Sequence, residues 1–297
     1  MTSRHLAILA ALGATTIYGL NHTIAKGVMP VYIKPFGFIM LRVLGGCFLF
    51  WLISPLGPKE KVERSDWGRF IACAMFGMVI NMLAFFKGLQ LSTPINSAVL
   101  ITTTPIIVAV LSVILINEKV RWLRTVGILL GLIGALILVL YGNEIRADAP
   151  NIPLGNTLFL VNATTFSLYL ILAKKLVAKY HVITLMKWLF LLGVIINIPV
   201  ALPEFLEVDW VNLPADAIWT MVFVVVGTTF CAYLFNAYAL TELKASTVSS
   251  FIYLQPVIAI IFAVATGKDH LTTIKIGAGI LVLLGVYLVS RRTLPDQ

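Results

Sequence analysis

Charge is what this sequence has least of: 12% of its 297 residues are charged, whereas 60% are hydrophobic. A soluble domain of this length carries about 25% charge to cover its surface. Water therefore cannot be its main solvent, and a lipid bilayer is its expected surroundings. Cysteine is equally sparse. Cys47, Cys73 and Cys231 each fall in an apolar run, are odd in number and lack metal-ligand spacing. That excludes a disulfide framework or a zinc site and leaves three small packing residues. Carboxylates are missing from the interior of every long apolar run, where ion-driven carriers often place one. There is no P-loop, histidine-rich cluster or nucleophile elbow, so no enzyme, cofactor or metal is expected. The net charge of +9 is spread over the ends of apolar runs rather than gathered in one patch, which argues against nucleic acid as a partner.

What is abundant is apolar length. Runs occupy residues 6–25, 35–54, 70–86, 95–116 and 125–142, then 153–173, 185–203, 217–240, 246–266 and 274–290. Each approaches the ~20 residues that carry a helix across the hydrocarbon. Turn residues separate them: Pro30 and Pro35, Ser54-Pro55-Leu56-Gly57-Pro58, Ser92-Thr93-Pro94, Pro150 and Pro153, and Pro214. The first run, Leu6 to Ala25, is longer than a signal-peptide core, lacks a small-x-small cleavage site and is followed by further runs. It reads as the first membrane helix. With ten crossings and a cytoplasmic N-terminus, 15 of the 22 lysines and arginines fall on the cytoplasmic side and six on the other. Both termini are therefore expected in the cytoplasm.

The chain repeats itself. Ala14-Thr15-Thr16 returns as Ala163-Thr164-Thr165, Phe86 as Phe235 and Leu91 as Leu240, each 149 residues on. Pro105 returns as Pro256, Glu118 as Asp269 and Gly134 as Gly285, now 151 residues on. The units expected are residues 1–143 and 150–292, five helices each. Five is odd, so the second unit must enter the membrane from the opposite face. The fold class is then an all-α membrane protein of ten transmembrane helices in two inverted five-helix repeats. Secondary transporters commonly follow this plan, with the substrate near mid-membrane between repeats.

Tyr18-Gly19-Leu20-Asn21-His22-Thr23-Ile24-Ala25-Lys26 is similar to the Trp-Gly-x-Asn-x-x-x-x-Lys opening of drug/metabolite transporters of the EamA type, with tyrosine in place of tryptophan and an atypical His22. Arg42, the stretch Pro105…Asn117-Glu118-Lys119 and its second copy Pro256…Lys268-Asp269-His270 resemble the paired signatures, Asp269 replacing glutamate. The resemblance covers nearly the whole chain as two units. It implies ten helices, a bacterial inner-membrane location and export or exchange of small metabolites, without naming one.

Candidate site residues follow from polarity at depth. Pro105 and Pro256 stand near the midpoints of helices 4 and 9 and free the carbonyls of Ile101 and Ile252, so each should kink or act as a hinge. Thr102, Thr103, Tyr253 and Gln255 lie beside these breaks. The freed carbonyls either face a polar substrate or are satisfied by the threonines themselves. Arg42 sits seven residues inside helix 2 with no carboxylate deep in another helix; carbonyls, cavity water or a substrate anion are its expected partners. Lys187, early in helix 7, should snorkel. Asn21 and His22 on helix 1 can bind a polar substrate, and His22 is the one proton site in view. Asn81, Asn162 and Asn236 must find partners, and Tyr18, Tyr169, Tyr233 and Tyr253 are candidates for a cavity wall. Helices 5 and 10 read as scaffold, with Gly127, Gly131, Gly134, Gly277, Gly279 and Gly285 permitting close packing.

Together these features predict a carrier, monomeric or homodimeric. It would be an exporter, exchanger or facilitator whose single central site is lined by helices 1, 3, 4, 6, 8 and 9. Its substrate would be a small polar metabolite, possibly an amino acid because Arg42 suits a carboxylate. The rivals are a flippase for a lipid-linked polar headgroup, which needs a lateral opening, and a membrane enzyme or structural partner protein, which needs no interchangeable halves.

Overall fold

The computed structural model describes residues 3–116, 122–141, 147–243, 251–252 and 254–290. Their helices form ten columns. α1 is Ser3–Val28 and α2 is Pro35–Leu52. α3 runs through Trp67–Ala74, Met75–Val79 and Ile80–Leu91, and α4 through Pro94–Ile101 and Thr104–Ile116. α5 is Trp122–Tyr141, α6 Ile152–Val177 and α7 Val182–Leu206. α8 runs through Ala215–Val222, Phe223–Cys231 and Ala232–Glu242. α9 is Leu254–Ala265 and α10 Thr273–Ser290. The face where α1 begins is the near face below, and the opposite one the far face. Asn117, Glu118, Lys119 and Tyr253 lie outside the described residues.

Among the described residues five helices are long and apolar enough to cross a membrane: Pro35–Leu56, Arg64–Leu91, Ile152–Val177, Val182–Leu206 and Ala215–Ala239. Parts of α4, α5, α9 and α10 are shorter apolar helices. α1 is long enough at 26 residues, but it carries Thr15, Thr16, Tyr18, Asn21, His22 and Thr23. Most of that polar set is buried, Thr15, Asn21, His22 and Thr23 all being at most 4% exposed. It therefore faces protein rather than lipid.

The packing obeys an exchange of the two halves. α2 packs on α7, α4 on α9 and α5 on α10; α1 packs on α8 as α3 does on α6, and α1 on α9 as α4 does on α6. Swapping helices 1–5 with 6–10 leaves that set unchanged, which is the signature of two inverted repeats. The local breaks obey the same exchange. α3 and α8 both pass through a π-helical stretch, Met75–Val79 and Phe223–Cys231. α4 opens at Thr102–Thr103 ahead of Pro105, and Ile252 leaves the helix ahead of Pro256.

Each end of the α2–α7 pair is tied by the partner helix. On the far face Glu204 of α7 accepts hydrogen bonds from the N–H groups of Phe36 and Gly37 at 2.7 and 3.1 Å, satisfying the orphan donors that begin α2. On the near face Glu60, beyond α2, accepts from the His181 N–H that precedes α7, at 2.9 Å. Asp66 beside it takes Lys179 and the Tyr180 hydroxyl, both at 2.7 Å. These hydrogen bonds, with Glu63, hold the Lys179 ammonium well above its ordinary pKa. Lys187 reaches the near edge, donating to Ser54 Oγ at 2.9 Å with its ammonium over the Trp51 ring.

The scaffold expectation for α5 and α10 needs one correction. A Cβ on Gly285 would lie 2.5 Å from the Gly127 carbonyl oxygen, and one on Gly134 2.8 Å from that of Ala278. Gly277 faces open space and Gly279 has only Val99 of α4 nearby. The two faces meet through Gly127, Gly131, Gly134 and Gly285, because Gly277 and Gly279 point round the far side of α10. Accordingly, Gly285→Leu should lower the melting temperature in detergent by several degrees, given about 1–3 kcal/mol for overpacking. Gly277→Leu should leave it unchanged in the same thermal scan.

A buried ion pair ties α10 to α4 on the far face. Lys275 Nζ lies 3.0 Å from Asp269 Oδ1, with side chains 1% and 0% exposed. Asp269 Oδ2 accepts the Ile95 N–H at the start of α4, at 3.1 Å. Burial alone would raise the Asp269 pKa; Lys275 and the N–H groups of His270 and Ile95 outweigh it and hold the carboxyl below its ordinary value. A carboxyl whose folded pKa is depressed contributes stability above its unfolded pKa and loses it as pH falls through the folded one. The protection factor of the Ile95 amide against hydrogen exchange should thus be high at neutral pH and fall below about pH 4, after correction for the intrinsic pH dependence of exchange.

Candidate functional site

The centre of the molecule gathers polar side chains that their own helices leave unsatisfied. Arg42, 5% exposed, points from α2 at α8, where its Nε donates to Thr229 Oγ1 at 2.8 Å. Thr229 Oγ1 in turn donates to the Val224 carbonyl five residues back, at 2.8 Å. That is the reach of a π turn, and the bulge thereby aims the hydroxyl. The guanidinium carbon stands 5.1 Å from the Phe86 ring centroid of α3, a cation–π contact. One residue along α8, Thr228 donates to Asn21 Oδ1 of α1 at 3.1 Å.

Three tyrosines surround this core. Tyr18 and Tyr233 both interact electrostatically with Arg42, and the Tyr18 hydroxyl is partnered by Asn236. Tyr169 of α6 lies close to Tyr18 and Tyr233. Its ring fits against Gly77 in the π turn of α3, where a Cβ would lie 2.6 Å from the ring. Tyr233 packs edge-on to Phe190 at 5.4 Å. Among the described residues no carboxylate forms an ion pair with Arg42. Of the partners expected for Arg42, only the backbone carbonyls need correcting. Within the protein its partners are a hydroxyl and a ring, because the π turn delivers Thr229 and the α2–α3 packing delivers Phe86.

One residue further along α1, His22 Nδ1 lies 2.6 Å from Ser97 Oγ of α4 and has Gln255 of α9 as a second partner. Gly19 is what lets α9 approach: a Cβ there would stand 2.9 Å from Ile258 Cβ and 3.2 Å from the Gln255 carbonyl oxygen. Lys26, at the end of the same motif, donates to the carbonyls of Leu89, Gln90, Ser92 and Asp148 at 2.6–3.0 Å. Its work is to close the C-terminus of α3.

Other predicted residues go elsewhere. Thr102, Thr103 and Thr104 donate to the carbonyls of Val99, Leu100 and Ile101 at 2.6–2.7 Å. The carbonyls at the break are thus met by the threonines themselves, the second of the two alternatives. Asn81 and Asn162 join α3 to α6 reciprocally, each side-chain amide donating to the other's backbone carbonyl at 3.0 and 2.9 Å. Pro105 and Pro256 stand at the matched breaks, and Tyr253 lies outside the described residues. Thr228, Thr229, Ser97 and Phe86 are the central residues that sequence reasoning missed. The available signal for Thr228 and Thr229 was a hydroxyl pair beside Gly227 in an otherwise apolar run; Ser97 and Phe86 carried none.

The far side of this centre is packed shut. Ser92 Oγ and Asn96 Nδ2 both donate to Asn156 Oδ1, at 2.6 and 3.2 Å, and all three residues are fully buried. Tyr18, Phe166, Phe230 and Asn236 are part-exposed.

A ten-helix membrane fold with inverted halves and a polar centre between them defines a carrier-type architecture. The sequence model of the EamA-like transporter family matches residues 5–140 and again 153–291, and the chain belongs to that family of membrane transporters. It is 25% identical to the "Uncharacterized transporter YyaM" of Bacillus subtilis over 97% of this chain and 94% of that one. It is 22% identical to a "Probable terminal-alkyne amino-acid exporter" of Streptantibioticus cattleyicolor, over 81% and 78%. A solved crystal structure shares the fold with a TM-score of 0.64, covering 95% of both chains at 17% identity.

The reciprocal amides make a direct test of the contact between the halves. Asn81→Ala and Asn162→Ala should each destabilise the protein in detergent by about 0.6–1.7 kcal/mol. Each amide donates to a backbone carbonyl that alanine keeps, so the two costs should add in the double variant.

Proposed function

We propose that the chain is a secondary carrier that moves a small polar metabolite by alternating access. The units that rock are residues 1–143 and 150–292. The observation that carries this reading is the paired interruption of helices at matched positions: π turns in α3 and α8, and breaks before Pro105 and Pro256 in α4 and α9. Interrupted helices facing a buried polar centre let two halves exchange packings around a fixed site. The buried Ser92–Asn96–Asn156 cluster on the far side supports access to the centre from the near face, which the placement of lysine and arginine makes the cytoplasmic one. Among the described residues no carboxylate stands with the polar groups of the centre, which favours an exporter, exchanger or facilitator over an ion-driven pump. The relative named as an amino-acid exporter is consistent with a carboxylate-bearing cargo.

Purified protein in liposomes, preloaded with a mixture of small metabolites, should show saturable counterflow of at least one labelled solute. Pro105→Ala and Pro256→Ala should each slow it about tenfold or more, as hinge changes alter turnover rather than site chemistry. Flux should be insensitive to an imposed pH gradient. If no solute moves while a labelled lipid headgroup changes leaflet, the rival flippase reading replaces this one.

A further inference from the structure

A guanidinium has five N–H donors, and the structure accounts for only part of the Arg42 set. Nε is taken by Thr229 at 2.8 Å, and Phe86 lies under the carbon. Among the described residues neither Nη group donates to a protein acceptor, and no carboxylate neutralises the charge. Nor are those groups sealed in: the buried side-chain atoms without a partner are Thr23 Oγ1, Asn96 Oδ1 and Asn197 Oδ1. Arg42 is therefore held rigidly at one edge while its two-pronged edge is left open. Two parallel N–H groups in one plane match the two oxygens of a carboxylate.

The walls select further. Phe86 lies under the guanidinium, Tyr18 and Tyr233 interact with it electrostatically, and Phe230 is part-exposed on α8 next to Thr229 in sequence. Flat aromatic faces of this kind favour a flat apolar body over a branched polar one. A substrate ammonium next to the bound carboxylate would lie beside a guanidinium with no acidic side chain to offset it. Thr229 Oγ1 already takes the Arg42 Nε–H on one lone pair and spends its own O–H on Val224, leaving one neutral acceptor site and no negative charge for such a group.

We infer that the Arg42 fork is a subsite for a monocarboxylate whose body is flat, apolar and free of a neighbouring cation. Arg42 binds the carboxylate, Thr229 sets the plane of the fork, and the tyrosines receive the body. This rests on the carrier reading only for the claim that the bound acid is then moved. In that case the net charge of the site falls from one to zero as cargo binds, which suits passage through a low-dielectric centre.

The test is equilibrium binding to the full chain in detergent, titrated calorimetrically with phenylacetate, benzoate, phenylalanine and phenethylamine. The acids should bind at least about tenfold tighter than the amino acid, and the amine should give no signal. Arg42→Lys, which keeps the charge and loses the fork, should weaken phenylacetate about tenfold, and Arg42→Gln should abolish it. If either arginine variant elutes as aggregate, Thr229→Val carries the test, with an expected loss of several-fold for the acids. Binding of the amine or the zwitterion as tightly as the acid would overturn the inference. So would wild-type phenylacetate affinity in Thr229→Val together with Arg42→Lys, or no binding of any acid. Acid binding without counterflow would sink the carrier reading and leave the subsite. Counterflow of an uncharged solute, unchanged in Arg42→Lys, would do the reverse.

Discussion

Inside a bilayer a polar atom has no water to bond with, so every such atom must be satisfied by protein or by cargo. The helices of this protein are arranged around that constraint. Asn81 and Asn162 satisfy each other's backbone, His22 is held by Ser97, and the threonines at the α4 break turn back on their own carbonyls. At the far face Lys26 collects four carbonyls, and Asp269 with Lys275 closes the start of α4. Among the described residues Thr23 Oγ1, Asn96 Oδ1 and Asn197 Oδ1 are buried exceptions, and Arg42 differs from all of these groups in that its charge is supported by a hydroxyl and a ring rather than by a carboxylate.

The scaffold is symmetric while its chemistry is not. The helix pairings, the π turns and the proline breaks all survive exchange of the halves. The polar centre does not: at the repeat spacing of 149 residues Arg42 corresponds to Leu191, His22 to Ile171 and Thr229 to Ile80. A scaffold that survives exchange of its halves is the kind from which two packings of similar energy can arise.

The paired helix irregularities were only half legible beforehand. Proline declares itself, because it removes a donor and clashes one turn back, so the breaks in α4 and α9 could be placed by residue number. A π turn needs no special residue. Those of α3 and α8 run through Met75–Val79 and Phe223–Cys231, stretches dominated by ordinary apolar side chains apart from one glycine each and the Thr228–Thr229 pair. One inserted residue shifts every following side chain round the helix. For that reason neither the aim of Thr229 nor the fit of Tyr169 against Gly77 could be read from spacing. The glycines of α10 make the same point, since Gly285 meets α5 while Gly277 and Gly279 do not.

Composition, run length and the doubled motifs were enough by themselves to determine the solvent, the ten helices, their inversion and the family. Those properties depend on local quantities: about 20 apolar residues per crossing, an odd number of crossings per copy, and residue types at fixed offsets. They also placed Arg42, Asn21, His22 and the tyrosines at depth. Tertiary structure alone decided which of these face one another, that Thr229 and Phe86 hold the guanidinium, and that Thr102 and Thr103 turn inward to their own helix. The reason is geometric: partners such as Arg42 and Thr229 lie 187 residues apart in sequence, and their meeting depends on helix rotation, which a one-residue bulge resets.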